Sequence, residues 1–173
     1  VVRGALEAGV QFVSCYPGTP SSEIGNTFFR IAKETGVYFE FSTNEKVALE
    51  AGAGASFSGL RVLVAMKHFG LNVASDFLMP LVYAGTKGGM VLFVADDPNC
   101  WSSAQSEQNT RAFAWLAHIP ILEPSTPQEC KDFVKLAFEI SEVFNVPVMI
   151  RSTTRVAHQS APVLLNGIKK RRR

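Results

Sequence analysis

A glutamate at the head of a helix made of small residues is the first place in this chain where chemistry could occur. Glu45 stands within Ser42-Thr43-Asn44-Glu45-Lys46-Val47-Ala48, just after the aromatic run Val37-Tyr38-Phe39-Glu40-Phe41. Ser42 and Glu45 have the three-residue offset of a capping box, and Asn44 is a second candidate cap. Behind them Ala48, Gly52 and Ser56 recur at every fourth position, and Ala51, Ala55 and Gly59 repeat the spacing one face over. Gly52 and Gly54 each cost a helix about 1 kcal/mol relative to alanine. Two smooth stripes invite close approach by another helix or by a flat ligand. Glu45 is then either a capping carboxylate favoured by the helix dipole or a carboxylate standing at the mouth of that approach.

Other candidates end strand-like runs. Tyr16-Pro17-Gly18-Thr19-Pro20-Ser21-Ser22 breaks the run Gln11-Phe12-Val13-Ser14-Cys15 sharply. Its prolines fix a turn and aim Thr19 and Ser21 outward. The hydroxyls suit a carboxylate or carbonyl, although Ser21 and Ser22 equally suit a helix cap. Lys67-His68-Phe69-Gly70 follows an apolar run and reads as site-lining cations or as a solvated loop pair. Asp96-Asp97-Pro98 and Thr153-Thr154-Arg155 end two further runs. His118 and His158 read as surface or helix-end residues. Neither G-x-G-x-x-G after the first strand nor G-x-x-x-x-G-K-[ST] occurs, so both nucleotide fingerprints are missing. Cys15, Cys100 and Cys130 are odd in number and widely spaced, which excludes a zinc site or four-cysteine cluster from this chain and fits reduced cytosolic thiols.

The elements that must position these residues follow from periodicity. Strands are expected near Val13, Phe39, Leu63, Leu92, Ile121 and Met149, the fifth an edge strand because Pro120 and Pro124 bracket it. Helices are expected at 2–8, 20–33, 44–59, 71–86, 107–117 and 127–144, the last opened by Thr126 as cap. The runs at 62–66 and 90–95 do not alternate, which marks strands covered on both faces. The fold class is therefore α/β, a doubly wound, mainly parallel six-strand sheet with helices on both faces. In such sheets ligands sit beyond the carboxyl ends of the strands, where all these polar residues converge.

At 173 residues the chain is long enough for one domain with a real core. Residues 1–156 read as that domain and 157–173 as a linker with a basic tail. Hydrophobic content of 47% with only 18% charged residues points to a surface that meets another subunit or domain. The formal charge of +2 falls to −3 once the five cations of residues 169–173 are set aside, so the body is not a nucleic-acid binder. The tail itself reads as a frayed, solvated terminus. The longest apolar region, 69–86, is interrupted by Asp76, so no membrane span is expected. A start without Met, already in helical pattern, reads as a segment of something longer.

The segments 16–24, 44–51, 66–72 and 95–98, in that order, resemble the thiamine-diphosphate-dependent 2-oxoacid:ferredoxin oxidoreductases. The likeness is to their pyrimidine-binding domain, covers the chain to about Val156, and is nearest to the branch acting on arylpyruvates such as indolepyruvate. It implies that Glu45 is catalytic, holding a ring nitrogen of the cofactor's aminopyrimidine and relaying a proton. It implies that Thr19, Gly70 and Asn72 also contact thiamine diphosphate, and that Thr19, Ser21, Lys67, His68 and Arg111 meet the substrate. No metal ligand is expected in this chain. Magnesium and 4Fe-4S clusters belong to other parts of such an enzyme, and the Gly-Asp-Gly…Asn motif that anchors the diphosphate is absent here. Implied partners are the 2-oxoacid, coenzyme A, ferredoxin and a separate diphosphate-binding domain or subunit, in the cytoplasm. Two departures put substrate choice in question: Asn109 replaces an aspartate, and Trp101 stands where histidine is expected. Two other readings stay open. One is the same domain in a non-oxidative thiamine-dependent decarboxylase; the other is a non-catalytic binding or scaffold domain, in which Glu45 would have no groove beside it.

Overall fold

All six residues of Val62–Lys67 (β3) and all seven of Met90–Asp96 (β4) are buried, so these strands have no solvent face and need cover on both sides. A computed structural model describes residues 1–102 and 106–169 and shows what supplies it. The other strands are Phe12–Cys15 (β1), Tyr38–Phe41 (β2), Ile121–Leu122 (β5) and Val148–Thr153 (β6). They pair in the order β2-β1-β3-β4-β6-β5, every pair parallel. The expected six-strand doubly wound sheet is present, with all six expected centres inside strands.

The helices are Val2–Glu7 (α1), Ser22–Thr35 (α2), Glu45–Phe57 (α3), His68–Ala84 (α4), Arg111–Leu116 (α5), Pro127–Phe144 (α6) and Thr154–Ala157 (α7). α1, α2 and α6 bury Ala5, Ile24, Phe28, Val134 and Phe138 against Val13, Leu63, Val91 and Phe93. On the opposite face α3, α4 and α5 bury Leu49, Ala53, Leu71, Leu78 and Ala114 against Val64, Met66, Leu92 and Val94. β1 leads into α2 on one face, while its neighbour β3 leads into α4 on the other. The connections part there and leave a crevice at the carboxyl ends of β1 and β3, the usual ligand position of such a sheet.

Local chemistry sets the helix ends. Asn44 caps α3, its Oδ1 accepting from the Val47 amide at 2.9 Å. The capping box from Ser42 does not form, because that hydroxyl donates to Glu40 at 2.8 Å. Thr126 caps α6 as expected, accepting from the Glu129 amide at 3.2 Å. α4 starts at His68, three residues before the expected 71, because the chain turns from β3 into the helix without a loop. Pro80 lies inside α4, which continues through it. α5 starts only at Arg111, since residues 106–109 are held by loop contacts; α7 and a 3-10 turn at Pro98–Cys100 were not expected. The two helix glycines of α3 differ. A β-carbon at Gly52 would lie 2.7 Å from Val64 Cγ2, whereas one at Gly54 would meet nothing within 4 Å.

The end of the chain is less free than its composition implies. Asn166 donates its amide to Glu7 at 2.8 Å, Lys169 donates to the Leu6 carbonyl at 3.3 Å, and Leu164 donates to Gln128 at 2.8 Å. Residues 164–169 are thus held against the body; of the tail expected to fray, 169–173, residues 170–173 lie outside those described. Glu7 is 1% exposed and also takes Lys131 Nζ at 3.1 Å. Burial alone would raise this carboxyl. Its bonds from the Asn166 backbone, Lys131, the Asn166 side chain and Arg3 outweigh burial and hold its pKa at about 2. No helix among the described residues is long and apolar enough to cross a membrane.

Candidate functional site

Glu45 opens α3, and its side chain lies across the first turn of α4. A β-carbon at Gly70 would come 2.3 Å from Glu45 Cγ and 2.7 Å from Oε1, so only glycine admits the carboxylate here. Asn44 already caps the helix, and Glu45 has no hydrogen-bond or ion-pair partner among the described residues. A half-buried carboxylate with no partner of its own, at a helix N-terminus and against bare backbone, is poised to accept from a ligand.

The turn after β1 lies at the same carboxyl edge of the sheet. Thr19 is exposed, and the peptide bond to Pro20 is cis. Ser21 is 3% exposed and donates its hydroxyl to the Gly18 carbonyl at 2.6 Å, so this hydroxyl closes the turn and is turned away from a substrate. Neither Ser21 nor Ser22 caps α2 through its side chain. Lys67, 4% exposed, donates to Ser102 Oγ at 2.7 Å and pairs with Asp97 at 3.6 Å. Asp97 also accepts from Thr154 at 2.5 Å and from the Ser102 amide at 2.9 Å. Burial would raise the Asp97 carboxyl; the bonds from Ser102 and Thr154, with the Lys67 charge, hold its pKa at about 2. Of the serine-rich loop that follows, residues 103–105 lie outside those described.

Arg111 and Asn72 are already engaged. Arg111 pairs with Glu123 at 2.8 Å, and Glu123 also takes Arg151 at 2.7 Å. Arg151 in turn meets Asp96 at 2.6 Å, and Thr110 donates to Asp96 from its hydroxyl at 2.7 Å. Asn72 and Gln108 exchange two amide bonds, of 2.9 and 2.8 Å, which tie the loop before α5 onto α4. Asp96 and Asp97, 0% exposed, thus hold the carboxyl ends of β4 and β6 together, and no group of three or more metal-binding side chains occurs among the described residues.

His68 is not a site-lining cation. Its ring is 0% exposed, and neither nitrogen has a partner of good geometry, although the Ala95 backbone lies close. Burial, and after it the Lys67 charge, lower its pKa below 6.5; Asp96 and Asp97 oppose this without reversing it. A folded state that resists protonation is fully stable above the unfolded value and loses stability as pH falls through it. Asp97 and Glu7 act later, losing their contribution as pH falls from 3.8 and 4.5 toward about 2. The melting temperature is therefore expected to fall in two stages on acidification. In His68→Gln the first stage, between about pH 7 and 5, should vanish. A single acid stage in the unsubstituted chain would show that His68 titrates normally.

A cavity of 430 Å³ lies on the α1, α2 and α6 face and is lined by Ile24, Phe93, Ala95, Cys130, Val156 and Leu165, among others. The sheet separates it from Glu45, and only Thr19, on its rim, belongs to both places.

Residues 3–172 match the family model described as pyruvate flavodoxin/ferredoxin oxidoreductase, thiamine diphosphate-binding. The chain belongs to this family. Among its relatives, the indolepyruvate oxidoreductase subunit IorA of Pyrococcus horikoshii is 56% identical over 168 residues, covering 97% of this chain and 26% of its own length. The IorA subunit of Archaeoglobus fulgidus is 46% identical, covering 97% and 27%. The 2-oxoglutarate synthase subunit KorA of Methanothermobacter thermautotrophicus is 31% identical, covering 98% and 47%. The chain thus spans about a quarter of the IorA subunits. Among solved structures it is similar in fold to the 2-oxoglutarate:ferredoxin oxidoreductase from Magnetococcus marinus, with a TM-score of 0.81 and 19% identity over 90% of this chain and 28% of that one.

The family's cofactor suits the residues present. An unpartnered Glu45 carboxylate can accept from the ring N–H of a protonated aminopyrimidine, and bare Gly70 backbone leaves that carboxylate its place. Sequence reasoning missed the roles of Gly18, Ser102 and Arg151. Gly18 stood inside a recognised motif and Ser102 in a serine-rich loop, but their contacts, with Lys67 and Thr19, cross 49 and 83 positions of chain and leave no local signal.

Proposed function

We propose that this chain forms the pyrimidine side of the thiamine diphosphate site in an enzyme that oxidatively decarboxylates 2-oxoacids, arylpyruvates such as indolepyruvate among them. The products are the acyl-coenzyme A and carbon dioxide, with two electrons passed to ferredoxin. The free Glu45 carboxylate on Gly70 carries this reading, and the names of the IorA relatives support the substrate class. Thiamine diphosphate, when bound, supplies the electron sink for decarboxylation. Glu45 holds and returns a proton at the ring nitrogen, Gly70 leaves the Glu45 carboxylate its place, and Thr19 faces the reacting centre from the turn after β1. Asn72 fixes the loop beside the ring. Magnesium, the diphosphate anchor and the 4Fe-4S clusters sit on other domains or subunits, and the assembly works in the cytoplasm.

This chain alone, given thiamine diphosphate and magnesium, is expected to turn over no 2-oxoacid. The complete enzyme is expected to reduce ferredoxin with indolepyruvate and coenzyme A, and to do so faster than with 2-oxoglutarate. Turnover by the chain alone would refute the half-site. Release of an aldehyde without an electron acceptor would make the enzyme a non-oxidative decarboxylase.

A further inference from the structure

We infer that Lys67 is a positioning residue that sets the turn carrying Thr19, and is not the cation that receives the substrate carboxylate. The inference rests on the role proposed above for Thr19.

Lys67 grips the turn twice, across the crevice between β1 and β3. Its stem lies under Gly18, where a β-carbon would come 2.7 Å from Lys67 Cβ. Its ammonium donates to Ser102 Oγ at 2.7 Å, and Ser102 Oγ lies 3.1 Å from the Thr19 carbonyl. Stem and ammonium thus act on adjacent residues of one turn, the second through Ser102, whose single hydroxyl proton is shared between the Asp97 carboxylate and the Thr19 carbonyl.

The ammonium is already engaged. It donates to Ser102, pairs with Asp97 at 3.6 Å and lies 5.3 Å from the Phe69 ring centroid, and the side chain is 5% exposed. A substrate carboxylate could claim it only by drawing it from Asp97, whose side chain is 0% exposed. That would leave a buried carboxylate short of its cation and bring a second anion beside it, both costly in a site shielded from water. The Lys67–Asp97 pair is complete as it stands. Its product is a fixed turn.

The test uses Ser102→Ala, Lys67→Met and the charge-balanced Lys67→Met/Asp97→Asn, which keeps the experiment sound should the single lysine variant fold poorly. Hydrogen exchange is read first, without cofactor or substrate, at the Ser21 amide, which donates to the Gly18 carbonyl at 2.7 Å inside the turn. Each variant should speed that exchange about tenfold, the scale of one lost hydrogen bond, with α6 amides unchanged. In the complete enzyme each should lower kcat about tenfold with KM for the 2-oxoacid moved less than about threefold, the pattern of misplacement. In a Thr19→Val background Ser102→Ala should lower kcat no further. A carboxylate-binding Lys67 gives the opposite pattern: Ser102→Ala is silent, and Lys67→Met raises KM about a hundredfold at nearly normal kcat. That pattern, unchanged Ser21 exchange, or losses that add with Thr19→Val would each overturn the inference. Faster Ser21 exchange combined with a kinetically silent Thr19→Val overturns the functional role of the grip through Thr19 and leaves the Glu45 reading untouched.

Discussion

An enzyme carrying Glu45→Gln is expected to fold, to bind thiamine diphosphate with near-normal affinity, and to exchange the thiazolium proton about 10²–10⁴-fold more slowly. The amide preserves the shape of the side chain over Gly70 and still offers an oxygen to a ring N–H, but it cannot take and return a proton. Stability should change by less than about 1 kcal/mol, since only an interaction with the helix dipole is lost. The capping role that Glu45 could have filled belongs to Asn44, which accepts from Val47 at 2.9 Å. Thiazolium proton exchange, measured alongside a thermal melt, separates the possibilities. Normal exchange in the variant would remove Glu45 from the chemistry.

Gly70→Ala should disable the same site by an opposite route. Alanine is the better helix residue by about 1 kcal/mol, so α4 itself loses nothing. The new methyl, however, would sit 2.3 Å from Glu45 Cγ, and the carboxylate must swing off the crevice. Turnover is expected to fall about a hundredfold or more, with weakened cofactor binding and an unchanged or raised melting temperature. In a Glu45→Ala background the same change should cost little further, because nothing remains to be displaced. Normal turnover in Gly70→Ala would mean that Glu45 works from another position.

The sheet was readable from the sequence because burial writes itself into composition. Strands β3 and β4 are apolar without alternation since both faces are covered, and Thr126 and Pro127 announce α6 by local hydrogen bonding. The position of Glu45 at the head of α3 was readable too, because its setting beside a strand end and a small-residue helix is local. What stayed hidden depends on contacts between distant segments. His68 looks like a charged neighbour of Lys67, yet the turn from β3 into α4 drives its ring into the core, where burial keeps it neutral. Lys67, Ser21 and Arg111 have the right residue types for a substrate, but each meets a partner that spacing cannot reveal: Asp97, the Gly18 carbonyl and Glu123. Asn166 shows the same limit, since nothing in its neighbourhood of sequence points to the carboxylate at position 7.

Gly54 gives α3 an asymmetry between its two sides. At Gly52 the glycine is repaid within the chain, because β3 could not approach a larger residue. At Gly54 the helix accepts the extra backbone freedom of its unfolded form and receives no packing in return. The free-energy minimum of this sequence, taken as a solitary body, would lie with alanine at that position. Alanine at position 54 would therefore stiffen the unfolded chain and the helix alike at no cost to any contact within this chain, one turn before the end of α3.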